Sequence, residues 1–401
     1  MNILFLSDKP ADPMCGGIER VVNVWASEMT RMFHWNCVCA YFYPGVQSRL
    51  ENIKLEKIEL DNVDNQIKNL IEKYKIDVIL NNISSKHTMS KVSPVVLKHK
   101  ELYPNLKHIF VFHTCPGYEL VKMDLKFLLN KVLHRDNRIK YAKDFVFQIG
   151  IRLVPSFLLE KYVGNKYKGQ IVGVDKVVCL IESYVKKFVK YTGIQGDKVI
   201  AISNPIHVEK TAKKNVMKEK TVLVVSRLDE YSKRLSRALR IWGKIEEDNR
   251  YCDWNFQVVG DGEDRQLYKS LAKEMALERI SFEGRQVSKP YYEKASIFIT
   301  TSQFEGFGMS VLEAMQDKCT VIGLRSNDFL SLEELVLDKQ SGFIVDSEVE
   351  FVKCLKMVMD DETLRLKIGE KAFERSLRYD VKTIMFEWKN LIEGMMNSLV
   401  I

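Results

Sequence analysis

Short apolar runs recur along the chain, each followed by a segment in which apolar residues return every three to four positions. In the first half the runs are Ile3–Ser7, Cys37–Tyr43, Val78–Asn82, Ile109–His113, Val174–Leu180 and Val199–Ser203. In the second half they are Val222–Ser226, Phe256–Gly260, Ile280–Glu283, Ile297–Thr301 and Val321–Gly323. The runs are continuous rather than alternating and rich in Val and Ile, as strands covered on both faces are. Between them, Ile18, Val21, Val22, Trp25 and Met29 fall on one face of a helix, as do Leu239, Trp242 and Ile245. Alternating strand and helix predicts an α/β protein with parallel sheets. The series restarts near residue 220, after the turn Ser203-Asn204-Pro205 and the basic stretch Lys210–Lys220. The expectation is two Rossmann-like, doubly wound domains, residues 1–204 and 205–380. Residues 381–401 would form a C-terminal helix packing back toward the first. Open sheets of this kind bind ligands at the carboxyl ends of their strands, so two of them facing each other would put a site in the cleft.

Composition narrows the class. The 401 residues are 46% apolar and 28% charged, which suits a soluble globular protein. No apolar run approaches the ~20 residues of a membrane span. The start, Met-Asn-Ile-Leu-Phe-Leu-Ser-Asp, reads as a strand and lacks the basic region and cleavage site of a secretory leader. Eight cysteines form neither a CxxC pair nor a Cys/His cluster at zinc spacing. They read as small buried hydrophobes of a reducing cytoplasm.

The net charge of +8 is uneven. Residues 1–200 carry +10 and the remainder −2. A basic first half suits an anionic partner: a membrane surface, a phosphorylated substrate or a nucleic acid. The excess is concentrated in Lys122–Lys168, where eleven Lys/Arg meet four Asp/Glu and Phe127, Leu128, Val132, Phe145, Phe147, Phe157 and Tyr162 are interleaved. That pattern fits a basic surface lying on an anionic membrane, and equally a solvated helix face above core residues. Against nucleic acid, there is no aromatic-basic RNA-binding pattern, no zinc finger and no helix-turn-helix signal.

Three stretches carry candidate chemistry. Met14-Cys15-Gly16-Gly17-Ile18-Glu19-Arg20 links the first strand to the first helix. Its glycines allow close backbone approach, and a helix N-terminus presents free N–H groups to an anion; a plain tight turn is the alternative. It is neither GxGxxG nor GxxxxGK[ST], which weakens dinucleotide and P-loop readings. Arg227 ends a strand, and Lys233 follows six positions later. The two cations suit a diphosphate, or else a solvated loop. Glu305-Gly306-Phe307-Gly308-Met309-Ser310-Val311-Leu312-Glu313 runs from a Gly-rich loop into a helix, with Glu313 expected about two turns in. Its carboxylates suit sugar and ribose hydroxyls, or else are plain surface charges.

Taken in series, Gly16-Gly17, His113, Arg227, Lys233 and the paired glutamates resemble the retaining GT-B glycosyltransferases of family 4, of the bacterial polysaccharide and glycan-synthesis type. Further matching stretches are Asp175–Leu180, Asn204-Pro205-Ile206, Val259-Gly260-Asp261-Gly262 and Ser341-Gly342-Phe343. The resemblance covers nearly the whole chain and is most specific from Ser226 to Phe343. It implies transfer of a sugar from a nucleotide-diphosphate sugar, a UDP-sugar first of all, to a saccharide acceptor, with retention at the anomeric carbon. A lipid-linked acceptor would make the basic segment's membrane reading sensible. The implied location is cytoplasmic, with the inner membrane face as a docking surface.

The resemblance also implies roles. Gly16 and Gly17 cover the diphosphate, Arg227 and Lys233 neutralise it, and Glu313 holds the ribose. Glu305 binds the donor sugar near the reacting carbon, Phe307, Gly308 and Met309 offer backbone amides, and His113 contacts the sugar. The spacing from Arg227 to Lys233 is one longer than is more usual in the family, so Arg234 is the alternative to Lys233. Arg325–Leu330 departs from the family beside the strand it follows. No Asp-x-Asp motif is present to hold a metal, and no metal or other cofactor is expected. Two alternatives keep different chemistry: a GT-B nucleotide-sugar epimerase, and a non-catalytic basic protein that binds nucleic acid or another anion.

Overall fold

The computed structural model describes residues 1–45, 53–134, 138–194, 196–207 and 217–397. Residues 210–216 of the basic Lys210–Lys220 stretch, and 135–137 of Lys122–Lys168, lie outside the described residues. The chain divides into two compact units, Met1–Ile202 with Glu387–Ile401, and Ser203–Phe386.

Unit 1 is built on β1 (Asn2–Ser7), β2 (Asn36–Tyr41), β3 (Lys54–Lys57), β4 (Val78–Asn81), β5 (Lys107–Phe112), β6 (Lys176–Cys179) and β7 (Val199–Ala201). All pair in parallel, in the order β3-β2-β1-β4-β5-β6-β7. The helices are α1 (Gly17–Phe33), α2 (Val63–Tyr74), α3 (Lys86–Leu102), α4 (Leu125–His134), α5 (Arg138–Leu153), α6 (Ser156–Gln170) and α7 (Glu182–Thr192). The central strand β1 is buried from Ile3 through Ser7, which is why its sequence shows no alternation. Helix α1 buries Val21, Val22, Trp25, Ala26 and Met29 along one stripe. Trp25 meets Trp388 edge-on, at 4.9 Å between ring centroids.

Unit 2 repeats the pattern with β8 (Glu219–Val225), α8 (Leu235–Glu246), β9 (Asn255–Val259), α9 (Arg265–Glu274), β10 (Ile280–Gly284), α10 (Lys289–Lys294), β11 (Ala295–Thr300), α11 (Met309–Gln316), β12 (Thr320–Leu324), α12 (Leu330–Leu335) and β13 (Phe343–Val345). Helices α13 (Glu348–Asp360), α14 (Glu362–Ser376) and α15 (Val381–Asn397) follow, the last ending in residues of unit 1. The parallel order is β10-β9-β8-β11-β12-β13. Both units are therefore Rossmann-like, and in each the strand order reverses once, between β1 and β4 and between β8 and β11. The unit 2 core joins Val222, Leu239, Trp242, Phe256, Ile297 and Phe351.

Two strands escape the apolar-run reading. β3 reads Lys-Leu-Glu-Lys at the sheet edge, where one side needs no apolar cover and charge discourages further pairing. β13 is only three residues long.

Two buried histidines make unit 1 acid-sensitive. Burial lowers the pKa of His108, on β5, to about 4, and that of His113, just beyond it, to about 3, from 6.5. Lys100 lowers His108 further and Asp175 opposes the shift. Both rings are neutral in the fold, while the unfolded chain protonates them below about pH 6.5. The unfolded state thus binds more protons as pH falls, and stability drops by up to ~1.4 kcal/mol per pH unit for each histidine, down to the folded values. We expect denaturant melts of the full chain to weaken between pH 6.5 and 4, and the combined His108→Gln and His113→Gln substitutions to flatten that slope. An unchanged slope would show that neither ring is held neutral.

Candidate functional site

In unit 2 the candidate residues gather where the strand order reverses. β8 and β11 leave a small cavity of about 10 Å³ at their carboxyl ends, lined by Ser226, Lys233, Thr300, Thr301, Ser302, Glu305 and Ser310 among others. Lys233 forms an ion pair with Glu305 Oε1, both side chains more than four-fifths buried. Ser302 Oγ donates to the same oxygen at 2.9 Å. Lys233 is placed by its backbone: its N–H donates to Asp229 O at 2.8 Å, and Thr301 Oγ1 donates to Arg234 O at 3.0 Å. Arg234 sits in the left-handed region, φ 47°, as the cap of α8, and it is Lys233 that lines the cavity. An ammonium beside a carboxylate, with hydroxyls around them, can meet both a phosphate and the hydroxyls of a sugar.

Arg227 lies close by in sequence but is exposed, its Nη2 donating to Asp229 Oδ2 at 2.8 Å. Asp229 is nearly buried and also accepts from Ser232 Oγ at 2.9 Å and Tyr231 N–H at 3.0 Å. The Arg227 loop is packed from behind by Val259-Gly260-Asp261-Gly262. Gly260 has φ 136°, and a Cβ there would lie 1.8 Å from Ser226 O, so only glycine lets the two loops meet.

Gly308 caps α11 with φ 89°, and a Cβ would press the Phe329 ring at 3.2 Å. Phe329 belongs to the departing Arg325–Leu330 stretch, which thus packs beneath the start of α11. Phe307 is buried, its ring edge-on to Tyr379 at 5.7 Å, so any ligand would meet its backbone. Glu313 is the fifth residue of α11, one turn in rather than two, because the Gly-rich loop extends to Gly308 before the helix begins.

In unit 1, α1 starts at Gly17 with Gly16 as its extended cap, and Glu19 stands in the first turn with its pKa raised chiefly by burial. His113 Nε2 donates to Asn82 Oδ1 at 2.8 Å, and Trp25 stacks on its ring at 5.8 Å. Asn82 is oriented by its own Nδ2 bond to Leu80 O, so Nε2 carries the proton of the neutral ring and Nδ1 is the acceptor.

Sequence reasoning did not single out Ser302, Thr301, Asp229 or Asn82. The only available signal was Thr-Thr-Ser and Asn-Asn closing apolar strands. Glu230 was missed as well; it is half-buried, accepts from Ser236 Oγ and from Tyr268 OH, and has its pKa raised chiefly by burial. For a metal, one acidic cluster stands out among the described residues. Oxygens of Asp229, Glu263 and Asp264 lie within 4.8 Å of one another. Asp229 is engaged as above, and Asp264 Oδ2 accepts from Glu230 N–H at 2.9 Å.

Two parallel sheets and a loop-to-helix site at the switch point define a GT-B fold, and residues 207–375 match the family of glycosyl transferases group 1. The chain is 30% identical to an uncharacterized glycosyltransferase of Haemophilus influenzae, over 54% of this chain and 61% of the relative. It is 27% identical to the GalNAc-alpha-(1->4)-GalNAc-alpha-(1->3)-diNAcBac-PP-undecaprenol alpha-1,4-N-acetyl-D-galactosaminyltransferase of Campylobacter jejuni, over 54% of this chain and 58% of the relative. The matches thus span about three fifths of these curated relatives. Among solved structures, Anabaena HepE in complex with UDP-glucose aligns over 99% of this chain and 100% of its own, with a TM-score of 0.70 at 16% identity. That likeness shows the fold.

Proposed function

We propose that the protein is a retaining family 4 glycosyltransferase that moves a sugar from a UDP-sugar to a saccharide acceptor, lipid-linked, in cell-surface glycan synthesis. The observation that carries this is the Lys233–Glu305 pair beside the Gly308-capped helix, inside the glycosyl transferases group 1 region. Breaking a glycosyl–phosphate bond builds negative charge on the leaving diphosphate. Lys233 and Arg227 stabilise it, helped by the amides of Phe307, Gly308 and Met309 at the start of α11. Glu305 takes hydroxyls of the donor sugar and Glu313 those of the ribose. Gly16, Gly17 and His113 serve the donor from unit 1, His113 as a neutral ring. Because fixed cations supply the charge, no metal is required. The donor relationship draws support from the UDP-glucose bound by HepE, and the lipid-linked acceptor from the undecaprenol named in the Campylobacter enzyme.

The test is thermal shift and calorimetry on the full chain with UDP-, GDP- and ADP-sugars. A UDP-sugar at 100 times its Kd should stabilise the fold by about 2.7 kcal/mol. No stabilisation by any nucleotide sugar would remove the reading.

The same proposal places unit 1 on an anionic membrane through α4–α6. No described helix is long and apolar enough to cross a membrane. Yet half of the exposed large hydrophobic side chains among the described residues fall between Leu129 and Tyr162. Leu153 is 78% exposed, Ile139 76% and Tyr162 68%. Exposed Lys122, Lys143, Lys161 and Lys168 belong to the same segment. Apolar groups entering the interface and lysines facing lipid phosphates act together, each lysine contributing roughly 1 kcal/mol. Co-sedimentation with anionic vesicles should be strong and weakened by salt; equal binding to neutral vesicles, or none, would refute it.

A further inference from the structure

Unit 1 holds a second cavity, of about 60 Å³, at the carboxyl ends of β4 and β5. His113 lines it, together with Lys86, Glu119, Lys166 and Tyr167. Lys86 is the first residue of α3, a 17-residue helix with no acidic residue in its first turn. Helix N-termini favour anions, so a lysine there works against the dipole. Glu119 carries the single carboxylate of the lining, and both of its oxygens are used. Oε1 pairs with Lys166, and Oε2 accepts from Tyr167 OH at 2.7 Å. The Tyr167 hydroxyl in turn accepts the Gly117 N–H at 2.8 Å, and its ring stacks on Phe188 at 5.4 Å, which fixes this wall. Lys86 is exposed, yet it lines this cavity together with Lys166; partial burial first, and then the charge of Lys166, lower its pKa, while Glu119 opposes the shift. Two ammonium groups and a positive helix end therefore face one carboxylate already committed to its neighbours.

We propose that this cavity binds the phosphate group of a phosphorylated acceptor, held by Lys86 and Lys166 at the start of α3; the acceptor role rests on the glycosyltransferase reading. A phosphate would accept charge-assisted bonds from both lysines and relieve their mutual repulsion. A cavity needs only ~10–15 Å³ to hold a water, so this one has room for a group of several heavy atoms. A phosphate seated here lies against His113, which places the saccharide it carries beside a residue assigned to the donor sugar. Two sources share this chemistry: a prenyl diphosphate carrier and a polyol-phosphate polymer.

The experiment is calorimetry on the full chain. UDP is titrated first, which reports separately on the glycosyltransferase reading. Glycerol 1-phosphate, farnesyl diphosphate, glycerol and inorganic phosphate then follow, with UDP kept in excess. Both phosphate esters should bind and glycerol should not. The tighter ester names the source. Lys86→Gln and Lys166→Gln should each weaken ester binding about tenfold or more, the size of one charge-assisted hydrogen bond. Glu119→Gln removes the competing carboxylate and should tighten binding, which a purely structural network would not do. No ester binding, lysine substitutions without effect, or weaker binding in Glu119→Gln would overturn the proposal. Inorganic phosphate binding more tightly than either ester would overturn the acceptor role.

Discussion

Glu305→Gln is expected to abolish sugar transfer while leaving the fold intact. The side chain keeps its size, and its Oε1 could still accept from Ser302 Oγ, which now holds it at 2.9 Å. What is lost is the negative charge beside Lys233. In the proposed mechanism that charge orients the donor sugar at the reacting carbon, where positive charge develops as the glycosyl bond breaks. Loss of a preorganised electrostatic partner of this kind typically costs ~10²–10³ in kcat. The measurement is kcat and KM with the UDP-sugar that the donor screen identifies, alongside a melting curve. Near-normal turnover in a folded Glu305→Gln protein would remove the residue from the chemistry. A large fall in melting temperature with little change in kcat would make the Lys233–Glu305 pair structural.

Lys233→Ala is expected to lower kcat/KM by about 2–4 kcal/mol, by analogy with removal of one charge-stabilising donor. The loss should fall mainly on kcat, because the diphosphate gains charge as it leaves. Arg227→Ala should act in the same direction and by less. Its guanidinium is exposed, where water screens it, and it is tied to Asp229. Arg234→Ala should be mild by comparison, since Arg234 serves as the cap of α8. If Arg234→Ala is the damaging change and Lys233→Ala is silent, the assignment across the longer spacing is wrong. EDTA should leave activity largely intact if fixed cations carry the charge. Strict dependence on a divalent ion would shift attention to Asp229, Glu263 and Asp264, whose carboxylates already cluster.

Much of the architecture was legible in the sequence because burial on both faces writes itself as a continuous apolar run. β1, β4, β8 and β11 are central strands of that kind, and their order with the intervening helices leads directly to two parallel sheets. The Gly-rich loop ahead of α11 was legible for a related reason: a turn with φ 89° at Gly308 strongly favours glycine. Edge strand β3 was not legible, since Lys-Leu-Glu-Lys, with no fully buried residue, carries no apolar run. The start of α11 was misjudged by most of a turn, because the boundary depends on where Gly308 caps the helix and not on apolar spacing.

Local pattern thus determined which residues stand at strand ends and helix starts, and with them the class of fold. Only the tertiary structure decided which of those residues meet. Lys233 and Glu305 are 72 positions apart, and nothing in either neighbourhood announces the other; parallel pairing of β8 with β11 brings them together. Pairing of β4 with β5 does the same for His113 and Asn82, 31 positions apart, while the packing of α6 brings Lys166 to Glu119, 47 apart. Side-chain pairing across a parallel sheet is set by strand order and register. Those are properties of how the whole chain closes on itself, so a charge read alone in sequence stays ambiguous until its partner is placed.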